Sequence, residues 1–180
     1  MRRLPRPHPS ARAGFTLVEL AVGVAILTIG TLAMLTTVVA SQKLETSNRE
    51  RLLARMAAQS AVRDVQITAR AVAAEQGLED WGTNFQAALA APNDWLPVDG
   101  LQPWESLQDV CQVVVVNDET ATDDDLGFDL GMPRDLNGDG DSDDVAVTSD
   151  ARLFPVLVRI CWETPAGQRE LVHGFYVTPL

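Results

Sequence analysis

Histidine is nearly missing from this chain. Of two in 180 residues, His8 stands in a basic N-terminal stretch and only His173 lies beyond it. A multi-histidine metal centre is therefore nearly excluded. His173 would have to serve any Ser–His–Asp arrangement, but it sits in a strand-like stretch, where a structural role is the simpler expectation. Cysteine is as scarce. Cys111 and Cys161 allow at most one internal bridge, and without Cys-x-x-Cys spacing they do not read as a redox-catalytic pair. Basic residues thin out after the N-terminus: residues 1–14 hold four of the 14 bases and no acid, so the rest of the chain carries all 25 acids. So acidic a body argues against nucleic-acid binding by net field. No glycine-rich phosphate loop follows a strand. The carboxylates form an alternating series rather than a pair in two separate environments, as glycoside hydrolysis requires. A non-enzymatic protein is expected. Its 19.5 kDa suits one domain with an appendage, and 46% apolar with 22% charged residues excludes wholesale disorder.

Charge is also missing from Phe15 to Ala40, 26 residues with Glu19 as the one ionisable side chain. As a helix this run would span about 39 Å, enough for a hydrocarbon core of about 30 Å. Arg2, Arg3, Arg6 and Arg12 precede it, so the leader is expected to stay cytoplasmic and the remainder to be exported. A plain single-pass anchor fits. A conventional signal peptide cut after Val38-Val39-Ala40 fits less well, because the apolar run is far longer than the usual 7–15 residues. Neither has a use for Glu19, an acid that is costly inside a membrane.

Gly14-Phe15-Thr16-Leu17-Val18-Glu19-Leu20, after a short basic leader and before an unbroken apolar run, resembles the type III signal of type IV pilins and type II secretion pseudopilins. The resemblance is specific over Arg12 to about Ser41. It implies a basic leader, residues 1–14, removed by a prepilin peptidase that cuts between Gly14 and Phe15 and methylates the new amine of Phe15. It implies that Glu19 then faces the charged amine of a neighbouring subunit and sets register during assembly; low dielectric strengthens that pair and penalises a missing partner. The kinking proline frequent in this family is absent; Gly23 and Gly30 are the weak points, read simply as close-packing positions.

Proline and glycine are absent from residues 42–75, where Leu44, Leu52, Leu53, Met56, Ala57, Val62, Val65, Ile67, Ala69 and Val72 recur mostly at spacings of three and four. This predicts an amphipathic helix over 41–76 that continues the membrane segment, 15–40, and stops at Gly77. Residues 77–180 are expected to form an exported head. A short helix is expected near Phe85–Ala91. Trp81, Trp95 and Trp104 offer a contact face, although core or loop-anchoring roles are commoner for aromatics. Strands are expected at Val110–Val116, weakly at Val145–Thr148, and at Leu153–Thr164 and Glu170–Thr178. The fold class is α+β: a long N-terminal helix, membrane-spanning in its first half, with its outer half packed on a small antiparallel sheet of three to four strands. That is a pilin-like layout. The final hairpin, turning at Thr164-Pro165-Ala166-Gly167, looks like that of minor pilins of the pilus-modification type. Cys111 and Cys161 both fall in strand candidates, and a disulfide between them is expected in an oxidising compartment.

Residues 117–150 carry 12 of the 25 acids and one base, Arg134. Within the acidic stretch 123–144, Asp135, Asn137, Asp139, Asp141 and Asp143 alternate, with Gly140 at the sixth position, which matches the first nine positions of an EF-hand loop. Asp141 would give its carbonyl and the others side-chain oxygens, with Asp143 acting directly or through water. The twelfth position is Ala146 rather than glutamate, so a ligand must come from elsewhere: Asp144, or one of Asp123, Asp124, Asp125 and Asp129. A structural calcium is expected, and some pseudopilins use calcium in the head.

Two functions are expected. The first is a minor pilin or pseudopilin waiting in the cytoplasmic membrane with its head outside. It would meet the prepilin peptidase, membrane lipid, an inner-membrane assembly platform and other pilins, and enter a pilus or secretion pseudopilus. The second is a membrane- or filament-tip-anchored, calcium-dependent, adhesion-like binding module.

Overall fold

A computed structural model describes residues 16–89 and 95–179. Gly14 and Phe15 lie outside the described residues, as do Ala90 and Ala91 at the end of the expected short helix. The chain divides into two compact units, Met1–Thr46 and Ser47–Leu180.

Helix α1 runs over Leu17–Gln76 without interruption. In the first unit its large apolar side chains are exposed: Leu17 is 84% exposed and Leu27 69%. In the second unit Ala54, Ala58, Val65, Ala69 and Val72 are buried, spaced by four, seven, four and three residues along one stripe. Three of these five are alanines, so the sheet approaches the helix closely. Leu52, Met56 and Ile67 lie off the stripe and are exposed. The helix ends where Gly77 takes φ 81° and donates its N–H to the Ala73 carbonyl, a left-handed stop that glycine adopts without cost.

Helix α2, Trp81–Ala88, precedes a four-stranded antiparallel sheet in the order β1-β2-β3-β4. The strands are β1 Trp95–Leu96, β2 Cys111–Val115, β3 Phe154–Thr164 and β4 Gly167–Val177. A single-turn helix, α3, covers Asp123–Leu126 in the β2–β3 connection. Val145–Thr148 forms no strand; Val147 instead donates its N–H to the Asn117 carbonyl and buries its side chain.

The core occupies both faces of this sheet. On one face Cys111, Val113, Val115, Phe154, Val156, Val158, Ile160 and Trp162 meet the buried stripe of α1 together with Trp81 and Phe85. Trp81, Phe85 and Phe154 pack ring to ring at 5.3–5.8 Å between centroids, and Trp81 Nε1 donates to the Ala69 carbonyl at 3.2 Å. Trp81 thus belongs to the core and offers no contact face. Trp104 is half-buried and ties its loop to β3 by donating Nε1 to the Trp162 carbonyl.

The other face was unexpected. The β2–β3 connection folds over it, burying Leu130, Met132, Leu136 and Val147 against Val116 and Leu157, with Leu126 and Phe128 partly buried alongside. Gly174 makes this possible: a Cβ there would stand 2.5 Å from Phe128 and 2.7 Å from Leu130. Arg134 stacks over the Tyr176 ring at 4.9 Å, and the Tyr176 hydroxyl donates to the Leu130 carbonyl.

The disulfide expected between Cys111 and Cys161 is corrected by register. Cys111 pairs with Ile160 and Cys161 with Glu170, so the two thiols project from opposite faces of the sheet. Side chains alternate along a strand, and one residue of offset separates them. Both are free thiols, buried.

Candidate functional site

The entry to α1 is built by Thr16. Its hydroxyl accepts the Glu19 N–H at 3.2 Å and its carbonyl accepts the Leu20 N–H at 3.1 Å. Thr16-Leu17-Val18-Glu19 has the Thr-x-x-Glu spacing of a capping box, a signal readable from the residues alone that the expectations from sequence passed over. The cap removes an unsatisfied donor from a helix end that lipid would leave without a partner. Glu19 sits in the first turn and is exposed, where the helix dipole favours negative charge.

The threonines that interrupt the apolar run are satisfied inside the helix. Thr28 donates to the Val24 carbonyl, Thr31 to Leu27 and Thr28, and Thr36 and Thr37 to Ala33. Their hydroxyls therefore place no open donor on the surface. The helix is long and apolar enough to cross a membrane, and its most apolar window is wholly exposed.

The acidic connection is organised around its carboxylates. Asp123 accepts N–H groups from Leu130 and Met132 on Oδ1 and from Gly131 on Oδ2, at 2.8, 3.0 and 2.9 Å. These donors, Met132 foremost, hold its carboxyl below the usual range. Asp125 closes a capping box with Thr122, which lowers its carboxyl in the same way. Asp135 accepts from the Gly138 and Gly140 N–H groups. Asn137 Oδ1 accepts from Asp139 N–H, while its Nδ2 donates to Asp139 Oδ2 and Asp144 Oδ2, both at 3.1 Å. Gly138 and Gly140 take φ 83° and 108°, a conformation that a side chain would strain. The carboxyl group of Asp143 stands beside that of Asp141. That contact, with the charges of Asp139 and Asp143, raises the Asp141 carboxyl above its usual range.

Carboxylate oxygens of Glu119, Asp141 and Asp144 lie within 4.8 Å of one another, close enough to hold a metal ion. Asp144 and Asp141, both in the expected group, bring carboxylate oxygens to this trio. Asn137 links Asp139 to Asp144 of this trio, and Asp143 stands beside Asp141, while Asp135 holds the Gly138 and Gly140 N–H groups. Asp123 and Asp125, two of the expected extra donors, are engaged in holding backbone.

Glu119 is the residue that reading the loop by its spacing missed. It lies 16 residues before Asp135, and no local pattern marks it. The geometry does: Glu119 is 0% exposed, its Oε1 accepts N–H groups from Leu136 and Asn137, and its own N–H donates to the Asp144 carbonyl at 3.1 Å.

Cys161 faces Glu170 and Arg159 on the outer side of the sheet, where Arg159 Nε pairs with Glu170 Oε1 at 3.2 Å. Burial pushes both thiols up to about 11, helped by Asp109 at Cys111 and Glu170 at Cys161. Their thiolates are thus scarce at neutral pH. His173 is exposed on β4 against Phe175, with 6.1 Å between rings.

No curated protein and no solved structure matches the chain. A family model described as the prokaryotic N-terminal methylation motif matches residues 9–35, a stretch that includes Gly14, Phe15 and Glu19. Helix α1, capped and membrane-capable, begins inside this stretch at Leu17, and the chain carries over residues 9–35 the N-terminal methylation signal of type IV pilins and pseudopilins.

Proposed function

We propose that the chain is a non-enzymatic filament subunit, a minor pilin or pseudopilin, held as a precursor in the cytoplasmic membrane with its head exported. Prepilin peptidase removes residues 1–14 at the Gly14–Phe15 bond and methylates Phe15. The mature subunit then passes through an inner-membrane assembly platform, leaving lipid for the helices of other pilins in a pilus or secretion pseudopilus. One observation carries this reading. The methylation motif over residues 9–35 overlaps the start of an apolar helical run, to Ala40, whose large side chains are exposed and whose one acid, Glu19, lies in the first turn. When helices of several subunits pack, that carboxylate pairs with the amine of a neighbouring Phe15, and low dielectric makes a mismatched register costly. A calcium ion in the acidic connection serves the head structurally.

Mass spectrometry of the mature N-terminus from membranes tests the processing. The expected product begins with N-methylphenylalanine at Phe15; a start at Ser41 or an intact Met1 removes the prepilin reading. Assembly is tested separately with Glu19→Val. The variant is expected to insert and be cleaved as the unaltered chain is, while its recovery in sheared filaments falls several-fold. Equal recovery would deny Glu19 its register role.

A further inference from the structure

We propose that Glu119, contributed from outside the aspartate-rich loop, completes a calcium site with Asp141 and Asp144 and thereby fastens the β2–β3 connection to the sheet. This deepens the calcium part of the proposed function and is independent of its filament part: a chain that binds no calcium can still be cleaved after Gly14.

A cluster of exposed acids alone says nothing about a ligand. Glu119 is different. Its side chain is fully buried, yet its Oε2 has no hydrogen-bond partner among the described residues. A buried carboxylate oxygen without a donor is costly to keep. Holding the backbone of Leu136 and Asn137 occupies only Oε1; that structural duty leaves Oε2 unexplained. Carboxylate oxygens of Asp141 and Asp144 stand within 4.8 Å of a Glu119 carboxylate oxygen, so what faces the buried acid is more negative charge, which a bound cation would relieve.

The donor set selects the cation. Every group gathered here offers oxygen, with no thiolate or imidazole in the trio. Oxygen-only sites suit hard cations, and zinc or copper would seek nitrogen or sulfur. Calcium tolerates six to eight oxygens in irregular arrangements, whereas magnesium demands a tight octahedron. Oxygens beyond the trio are at hand: Asp139 Oδ2, joined to Asp144 through the Asn137 amide, and Asp143 beside Asp141. Glu119 supplies the acid that position twelve of the loop lacks, because Ala146 there takes φ 67° and turns the chain so that Val147 enters the core.

The site also joins distant chain. Glu119 follows β2 closely, Asp141 and Asp144 lie near the end of the connection, and Leu136 between them is 1% exposed in the outer cluster. A cation shared by the three acids fastens both ends of this cover at once.

The test is calorimetric titration of calcium chloride into the detergent-solubilised full chain, beside Glu119→Gln, Asp141→Asn and, as a control of equal charge change, Asp124→Asn. Asp124, one of the extra donors offered by the sequence alone, is exposed and outside the trio, so it tests charge without the site. One ion per unaltered chain is expected. Glu119→Gln and Asp141→Asn should each weaken binding by at least about tenfold, Asp124→Asn should leave it within about twofold, and magnesium should compete poorly. Calcium should also raise the thermal midpoint of the unaltered head but not that of Glu119→Gln. Absence of saturable binding up to millimolar calcium overturns the proposal, as does an equal loss in Asp124→Asn, which would indicate diffuse charge. If Glu119→Gln is destabilised to the same degree with calcium and with chelator, the glutamate is only a backbone staple and the proposal falls. Asp141→Asn, on the exposed loop, keeps the test decisive should Glu119→Gln fail to fold.

Discussion

The two faces of the sheet are closed by different chemistry. On the helix face, Phe154, Val156, Val158 and Ile160 are each 0% exposed against α1 and α2, and helices satisfy their own backbone. On the outer face the cover is irregular chain, whose N–H groups have no ladder to join. Carboxylates take over that duty: Asp123 holds three backbone N–H groups, Glu119 two and Asp135 two. The abundance of acid in the β2–β3 connection is therefore partly architectural. It lets a segment with no more than one helical turn, α3, lie on an apolar surface and still satisfy its peptide groups.

The contrast can be broken most severely from the helix side. Phe154→Ala removes a fully buried ring packed against both Trp81 and Phe85 and is expected to cost about 3–5 kcal/mol, read as a loss of most cooperative unfolding amplitude in urea. A variant as stable as the unaltered head would mean that α2 does not close this face. The outer face should respond more weakly and more locally. Gly174→Ala puts a Cβ within 2.5 Å of Phe128 and should cost about 1–3 kcal/mol. Hydrogen exchange should quicken at residues 128–132 while β2 and β3 stay protected; uniform quickening would erase the distinction between the faces.

Acid offers the smallest and most selective perturbation. The Asp123 carboxyl is lowered in the folded chain, first by the Met132 N–H and then by those of Leu130 and Gly131. A depressed carboxylate contributes stability that is present above its unfolded value, about pH 4, and is lost as pH falls through the lower folded value. Exchange at 130–132 should therefore rise below about pH 4 in the unaltered chain, and Asp123→Asn should remove that pH dependence. A rise of the same size in α1 between Ala54 and Val72 would instead mean global acid unfolding.

These perturbations also mark what was legible beforehand. The apolar run from Phe15, the stop at Gly77 and the strands around Cys111–Val115 and Phe154–Thr164 all announce themselves through composition and periodicity, because each is decided by neighbours within a few residues. The cover of the outer face did not. Leu126, Phe128, Leu130 and Met132 alternate with glycine, aspartate and other turn-forming residues, and so strongly acidic a stretch reads as solvated loop. The short capping signal Thr16-x-x-Glu19 is equally local, and the expected assembly role of Glu19 hides it.

By itself, then, the chain of residues determines the N-terminal methylation motif, the capped apolar helix, the amphipathic continuation and an α+β head, since all are patterns set by near neighbours. Tertiary structure alone decided three things: that Cys111 and Cys161 face opposite sides of the sheet, that Trp81 is core, and that Glu119 stands beside Asp141 and Asp144. Strand register and the path of a 38-residue connection bring together or separate residues far apart in sequence, and a shift of one residue in that register reverses which side chains meet.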